Sequence, residues 1–287
     1  MTQVSDKLRE VHVDEIIEKV ALPCQDAAYN MREDVSTALR HAMDVEISPM
    51  GRHVLDQLLE NARLASEEAV PFCHDTGIVV MLVELGQDVR IVGGSLKDAL
   101  NEGVRRGYVG GYLRASVVRD PFDRVNTGDN TPSIIHYEIV PGDHLTIALT
   151  AKGGGSENMS RLAMLKPSDG VEGFRDFVVD TVSQAGPNAC PPLLVGVGVG
   201  GNFDYCAFLA KKALFREVSS AHPDPAIAEL EDEIHTRCNS LGIGPQGMGG
   251  LNTVLDVFIE AYACHITALP VAVNIQCPAQ RHRRIVI

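Results

Sequence analysis

The polar segment Cys73-His74-Asp75-Thr76-Gly77 constrains the fold more than any other part of the chain, because it interrupts two regular patterns. Before it, apolar residues recur at helical spacing from Leu55 to Ala65. After it, the apolar run Ile78–Val83 predicts a buried strand. The segment therefore lies on a helix-to-strand connection, where a rigid scaffold can present a thiol, an imidazole and a carboxylate to a pocket.

Helical and strand-like patterns alternate along the sequence, which predicts a mixed α/β fold with β-sheets flanked by helices. Helices are expected over residues 1–47 (with a second helix from Asp26 to Met43), 95–108, Gly170–Ala185, Phe203–Phe215, Ala226–Ser240 and Asn252–Cys264. Strands are expected over 78–92, Leu193–Val199 and Leu269–Gln276, and Ile134–Val140 and Leu145–Thr150 resemble a hairpin. Since no long linker marks a boundary, we expect one domain over 1–287, with an N-terminal helical segment (1–47) and a site-bearing region (48–287).

The composition excludes several classes of partner. A formal net charge of −13 disfavours nucleic acid, because proteins that bind it usually carry a basic stripe. An anionic small molecule would need local cations, and Arg114 and the cluster Arg281–Arg284 are the candidates. The cluster has an alternative interpretation as a solvated tail.

The same composition indicates a soluble protein of a reducing compartment. No run of about 18 apolar residues occurs, so no membrane span is expected. The first residues lack the apolar core of a signal peptide. The seven cysteines are an odd number, which argues against a disulfide framework and favours a cytoplasmic location.

Three cysteines stand in local contexts that distinguish them from the rest. Cys73 precedes His74, and Cys190 and Cys277 each precede a proline, which stiffens the turn. The other four lie in helical patterns or lack a polar cluster, which is typical of small packing residues: Cys24, Cys206, Cys238 and Cys264.

A metal cluster is one hypothesis for the three distinctive cysteines. The absence of any C-x-x-C pair argues against a small zinc site. Three thiolates on a four-iron cluster would leave one iron without a protein ligand, which suits Lewis-acid chemistry on a small hydroxy acid. We therefore hypothesise that Cys73, Cys190 and Cys277 hold one iron–sulfur cluster, carried by loops at strand ends.

Two glycine-rich segments are further candidates. The main-chain N–H groups of Gly153-Gly154-Gly155 could form an anion nest, although the segment could also be a flexible exit from the predicted hairpin. Gly196–Gly201 satisfies G-x-G-x-x-G between a strand and a helix, with Glu217 about twenty residues further on. Because Glu217 is followed by a loop pattern, we expect these glycines to allow close strand-to-helix packing rather than nucleotide binding.

Several motifs occur in an order that closely resembles the class I, iron–sulfur-dependent fumarate hydratases, from residue 50 to 280. These motifs are Cys73–Gly77, Leu113–Ser116, Val125–Gly128, Lys152–Ser156, Ala189–Pro192, Leu241–Gln246 and Pro270–Val273. The chain is similar to the alpha subunit of the two-subunit form, which matches the N-terminal, cluster-carrying domain of the single-chain enzymes. The L-tartrate dehydratase alpha subunits are close relatives of this group.

The resemblance implies reversible hydration of fumarate to (S)-malate, with a 4Fe–4S cluster bound by Cys73, Cys190 and Cys277. It implies catalytic roles for Asp75 and His265, although a lone histidine such as His265 is more often a capping or core residue. The residues that it places around the dicarboxylate are His74, Asp75, Arg114, Gly154, Gly155, Ser156, Asn158 and His265. His74 stands where the single-chain enzymes often have glutamine.

The resemblance also implies a partner, because the proton-abstracting residue and further substrate cations of the family lie in a domain that this chain lacks. A separate beta subunit should supply them, which predicts a hetero-oligomer. Three alternatives stay open: dehydration of L-tartrate or another 2-hydroxy-diacid, a nucleotide-binding enzyme that uses Gly196–Gly201, and a non-catalytic iron–sulfur assembly partner.

Overall fold

A computed structural model describes residues 8–287, which form two compact units, each built around its own four-stranded sheet. Unit 1 comprises the chain up to Asn30, Ala65–Lys152 and Arg281–Ile287, and unit 2 comprises Met31–Leu64 and Gly153–Gln280. The predicted α/β class, with sheets flanked by helices, is confirmed. The single domain expected over 1–287 stays a prediction.

Helices and strands alternate along most of the described chain. In order they are β1 (Arg9–His12), α1 (Val13–Tyr29), α2 (Glu33–Val45), α3 (Pro49–Glu68), β2 (Ile78–Gly86), β3 (Val89–Val92), α4 (Leu96–Gly110), β4 (Ile134–Val140), β5 (Leu145–Lys152), α5 (Gly154–Glu157), β6 (Arg161–Leu165), α6 (Gly170–Ala185), β7 (Leu193–Gly201), α7 (Phe203–Ala213), α8 (Pro225–Asn239), β8 (Val254–Cys264), β9 (Leu269–Gln276) and β10 (His282–Val286). None of the helices within residues 8–287 combines the length and the apolar character that crossing a bilayer requires.

Unit 1 is a mixed sheet backed by two helices. The strand order is β10-β5-β2-β4, in which β2 and β4 run parallel and the other neighbours run antiparallel. Helices α1 and α4 share a buried apolar core with β2 and β5. Gly103 lets α4 approach α1, because a Cβ at this position would lie only 2.7 Å from the Cβ of Val20.

Unit 2 has a sheet that is covered on both faces. The order is β6-β9-β7-β8, with β7 and β8 parallel and the other pairs antiparallel. Helices α6 and α8 enclose one core, which includes Val257. Helices α2 and α3 and the end of α7 enclose another, which includes Phe258. A strand buried on both faces reads as a continuous apolar run rather than as an alternating pattern.

The glycines of β7 bring the strand into close contact with α7. A Cβ at Gly196 would overlap the carbonyl of Ala210, and a Cβ at Gly198 would overlap the carbonyl of Cys206. The close strand-to-helix packing expected for these glycines is confirmed.

The N-terminal helical prediction is correct only in part. Residues 1–7 lie outside the described residues, and Arg9–His12 form a strand that pairs with β3. The helices of this region are α1, which continues through Pro23 to Tyr29, and α2, which begins at Glu33. The expected helix from Asp26 to Met43 is thus divided between them.

Two other expectations are wrong for identifiable reasons. Strands β4 and β5 do not form a hairpin, because β2 lies between them and pairs with both. The segment Asn252–Cys264 is not a helix but contains strand β8. Consecutive residues in its middle, Val257–Ile259, are all buried, which removes the two-residue alternation by which a strand is normally recognised.

The C-terminal arginines are not a solvated tail. His282–Val286 form β10, which pairs antiparallel with β5. Arg281 is only 2% exposed, so it is one of the largest fully buried side chains of the described structure.

Candidate functional site

The Cys73–Gly77 segment lies in unit 1 between the end of α3 and the start of β2. Its entry is anchored, since Phe72 is buried and its N–H donates to the carbonyl of Ala28 at 3.1 Å. Cys73 and Asp75 are half-buried and His74 is exposed. The Oδ1 of Asp75 accepts a hydrogen bond from the N–H of Gly77 at 3.0 Å, which fixes the direction of the carboxylate.

Arg114 is held beside this segment by main-chain contacts. The Oγ1 of Thr76 donates to the carbonyl of Arg114 at 2.5 Å. Asn130 bridges the two stretches, because its Nδ2 donates to the carbonyl of Gly77 at 3.0 Å and its Oδ1 accepts from the N–H of Ser116 at 2.7 Å. Unit 1 therefore holds the main chain of the exposed Arg114 beside Thr76.

In unit 2, Cys190 and Cys277 lie at the same end of the sheet. Cys190 precedes β7 and Cys277 follows β9, and these antiparallel strands are in register at Leu194 and Gln276. Cys190 is exposed and has a left-handed φ of 57°, and its N–H donates to the carbonyl of Pro187 at 3.1 Å. Cys277 is half-buried, and its Sγ accepts a hydrogen bond from Nε2 of Gln276 at 3.7 Å.

The glycine-rich segment lies close to the Cys190 turn. It forms the single helical turn α5, in which Gly154 and Gly155 are exposed and Ser156 is buried. Asn158 follows this turn and is exposed. An added Cβ at Gly155 would lie 4.0 Å from the carbonyl oxygen of Asn188, so the two turns are neighbours.

A polar network that the sequence analysis missed ties α5 to the sheet. The carboxylate of Glu157 pairs with Nζ of Lys211 at 2.6 Å and accepts from Nδ2 of Asn274 at 2.8 Å. The same Nδ2 donates to Oγ of Ser160 at 2.8 Å. Burial lowers the pKa of Lys211, and the charge of Glu157 opposes this shift. Lys211 stands in no motif, so no local signal identifies it.

A second missed contact holds the Cys190 turn from another side. Both the N–H and the Nε2 of Gln246 donate to the carbonyl of Pro191, at 2.7 and 2.9 Å. Gly247 lies against Pro187, where any side chain would overlap the proline ring. The sequence analysis includes Leu241–Gln246 among the motifs that carry the resemblance but does not indicate this role.

His265 does not lie with the two cysteines of unit 2. It follows β8, which runs parallel to β7 and pairs its Cys264 with Gly201 at the opposite end of the sheet from Cys190. The imidazole is exposed, and its Nδ1 lies 2.8 Å from Oγ1 of Thr267. It ends a strand rather than the predicted helix, so a helix-capping role is wrong.

The remaining cysteines separate into two groups. Cys206 is buried, as expected of a packing residue, and Cys24 and Cys238 are buried too; burial raises the pKa of the Cys24 and Cys238 thiols to about 12. Cys264 is exposed at the end of a strand, so its predicted place in a helical core is wrong. Since the thiolate is the metal ligand, the buried cysteines are the poorest donors of the set.

The three candidate cysteines suit a cluster by the chemistry and accessibility of their thiols, and not because they already form a metal site. Within residues 8–287, no group of three or more His, Cys, Asp or Glu side chains is close enough to bind one metal ion. Cys73, Cys190 and Cys277 are all accessible in part, and all lie in turns that neighbouring residues hold. These are the properties that soft thiolate ligands require.

Comparison with known proteins matches residues 17–286 to the family described as Fumarate hydratase (Fumerase). The chain is similar to a Methanocaldococcus jannaschii protein provisionally named L(+)-tartrate dehydratase subunit alpha, with 42% identity over 265 residues, or 90% of this chain and 92% of that protein. It is similar to the L(+)-tartrate dehydratase subunit alpha of Escherichia coli O157:H7, with 35% identity over 99% of this chain and 94% of that protein. The Escherichia coli UTI89 protein of the same name is 36% identical over 97% and 92% of the two chains.

Proposed function

The chain belongs to the fumarate hydratase (Fumerase) family, and on that premise we propose that it is the alpha subunit of an iron–sulfur-dependent hydro-lyase. The proposed reaction is the reversible addition of water to fumarate, which gives (S)-malate. The observation that carries the proposal is the position of Cys190 and Cys277 at one end of a sheet, beside the glycine turn Gly154–Asn158.

Cys73, Cys190 and Cys277 are the proposed ligands of a 4Fe–4S cluster. Their accessibility supports this assignment. The buried thiols of Cys24, Cys206 and Cys238 stay protonated, and a protonated thiol is a poor metal ligand. The hydrogen bond from Gln276 to Sγ of Cys277 is of the kind that tunes a thiolate ligand. When bound, such a cluster supplies a Lewis acid toward the substrate hydroxyl.

The chain's own polar groups are proposed to bind the dicarboxylate. The exposed guanidinium of Arg114 can pair with one carboxylate through a planar fork of N–H donors. Gly154 and Gly155 lack side chains, so a carboxylate can approach their main chain closely. Asp75 is proposed to orient the substrate hydroxyl, with Ser156, Asn158 and His74 around the same ligand.

Dehydration of malate breaks the C2–O bond and removes a proton from C3. We assign the proton acceptor to a separate beta subunit, since the relatives' names describe alpha subunits. The chain alone is then expected to bind the cluster and to turn over poorly. The catalytic role of His265 stays a prediction, and a cytoplasmic location remains part of the proposal.

A second candidate substrate is L-tartrate, which the names of the relatives favour. Tartrate and malate share the dicarboxylate and the hydroxyl that leaves as water, so the same groups would recognise both. The experiment is an oxygen-free assay of the chain with its beta subunit on fumarate, (S)-malate and both enantiomers of tartrate. Turnover of none of them by an iron-loaded complex would contradict the hydro-lyase proposal.

The ligand assignment is tested by iron content. Cys190→Ser should lower the iron bound per chain after anaerobic reconstitution and abolish turnover. Cys264→Ser is the matched control, because Cys264 is also exposed and has no proposed ligand role. Equal iron content in the two variants would contradict the assignment.

A further inference from the structure

Three consecutive main-chain carbonyls at the end of the Cys73–Gly77 segment each accept a hydrogen bond from a side chain of unit 1. The donors are Nη1 of Arg281 to the carbonyl of Asp75, Oη of Tyr108 to that of Thr76 at 2.7 Å, and Nδ2 of Asn130 to that of Gly77 at 3.0 Å. All three donors are nearly inaccessible, at 2%, 2% and 0% exposure. Carbonyls on a loop usually bond to water, so this arrangement fixes the main chain where the predicted catalytic carboxylate lies.

Arg281 differs from the other two donors because it carries a charge. Its Nε donates to the carbonyl of Ala151 at 3.0 Å, so its acceptors are the main-chain carbonyls of Ala151 and Asp75. Burying a guanidinium is unfavourable unless an opposite charge balances it. Carbonyl dipoles balance the charge only in part, so Arg281 adds a positive potential at the adjacent segment, which also carries the half-buried carboxylate of Asp75.

Arg283, two residues further along the chain and within β10, provides a comparison. Arg283 pairs with the carboxylate of Asp26 and also donates to the carbonyls of Asp26 and Asn30, at 3.1 and 2.8 Å. Its charge is neutralised by a carboxylate within unit 1, and its contacts reach α1 rather than the Cys73–Gly77 segment. Arg283 is therefore a nearby arginine of the same chemistry that does not bind the Cys73–Gly77 segment.

We propose that Arg281 is a positioning residue of the active site, which fixes the main chain of Asp75 and favours binding of the dicarboxylate through its buried positive charge. The proposal rests on the proposed function for its substrate. The claim that Arg281 fixes the main chain of Asp75 does not depend on the proposed function, because this hydrogen bond is a property of the chain itself. We call this claim the structural part of the proposal and the effect on dicarboxylate binding its electrostatic part.

Hydrogen exchange tests the structural part on the full-length, metal-free chain. Arg281→Met should increase the exchange rate of main-chain amides in peptides that cover residues 73–80, by about tenfold. Arg283→Met should leave that peptide unchanged and increase exchange in α1. Arg281→Lys keeps the charge but loses the fork, so it should lie between wild type and Arg281→Met. Wild-type exchange over residues 73–80 in a folded Arg281→Met chain would overturn the positioning role.

Steady-state kinetics with the beta subunit test the electrostatic part. Arg281→Met should raise KM for the preferred dicarboxylate by about tenfold or more, and Arg281→Lys should restore most of the loss. Tyr108→Phe removes a neutral hydrogen bond to the same segment, so it should change KM less than Arg281→Met does. A wild-type KM in Arg281→Met would overturn the electrostatic role. Inactivity of the wild-type complex would instead count against the proposed function and would leave the exchange result standing.

Discussion

The buried carboxylate of Glu46 is bound by Asn252, which donates to it from its main-chain N–H at 3.1 Å and from its side-chain Nδ2 at 2.7 Å. The N–H groups of Ile47, Ser48 and Leu251 donate to the same carboxylate, each at 3.0 Å. Glu46 is 2% exposed, so these donors replace water around a full negative charge. One side chain therefore joins two turns of unit 2 that are distant in sequence.

We predict that Glu46→Gln lowers the free energy of unfolding by about 2 kcal/mol, because an amide nitrogen would face main-chain N–H donors. Asp44→Asn is the control, since Asp44 is exposed two residues away. Urea denaturation of both variants measures the difference. Equal midpoints would contradict the role of Glu46.

The same site predicts a pH dependence. Burial raises the pKa of Glu46, but the hydrogen bonds from Ser48, Leu251 and Asn252 outweigh it, so the pKa lies below its ordinary value. Stability from a lowered carboxyl pKa is present above the unfolded value, about 4.3, and is lost as the pH falls through the folded value. Wild type should therefore lose more stability than Glu46→Gln between pH 5 and about pH 3. Parallel curves for the two proteins would be evidence against this prediction.

Gly198→Ala should destabilise the protein by about 3 kcal/mol, because the new methyl group would overlap the Cys206 carbonyl. Gly94→Ala is the control, because its added Cβ would meet Val13 at an ordinary distance of 3.6 Å. Thermal unfolding measures both.

Neither wild type nor Gly94→Ala should shift its melting temperature when NAD or ATP is added. Such a shift would restore the nucleotide hypothesis.

Lys211→Met should lower kcat/KM by about tenfold, because Glu157 would lose the cation that holds α5 in place. The loss of stability should be only about 1 kcal/mol, since Glu157 is partly solvated and its interaction is screened. Lys212→Met is the control, because Lys212 is the exposed neighbour on the same helix. A wild-type kcat/KM in Lys211→Met would show that the network does not position the turn.

Thiol alkylation should distinguish the cysteines by burial. In the metal-free chain, iodoacetamide at pH 8 should modify Cys264 and the three proposed ligands first, and Cys24, Cys206 and Cys238 only after denaturation. In a separate sample that is reconstituted with iron and sulfide before alkylation, the proposed ligands should be protected and Cys264 should not. Peptide mass spectrometry measures the modification at each cysteine. Equal protection of Cys264 would indicate general shielding rather than ligation.

The sequence predicts best those features that have a local signature. The helix-to-strand setting of Cys73, the strand after Cys190 and the close packing of Gly198 all follow from patterns within a few residues. Strand β8 is missed because the helices on both faces of its sheet erase its alternation.

The contacts that position the candidate site are mostly nonlocal. Lys211 meets Glu157 across 54 positions, and Arg281 meets the carbonyl of Asp75 across 206. Pairing at such separations depends on the tertiary fold, and the local pattern of a single sequence carries no signal for it. Arg281 is the clearest case, because a run of basic residues is also what a solvated tail looks like.

Strand β10 has a consequence for the order in which the protein matures. Ile287 exchanges hydrogen bonds with Leu145, and Arg281 binds the carbonyl of Asp75, so this strand and its flanking residues hold parts of unit 1 that are synthesised much earlier. Arg281 follows Asp75 by 206 positions in the sequence. During synthesis the Cys73–Gly77 segment therefore leaves the ribosome well before the side chain that fixes its main chain, and it cannot take its final conformation until Arg281 has been added.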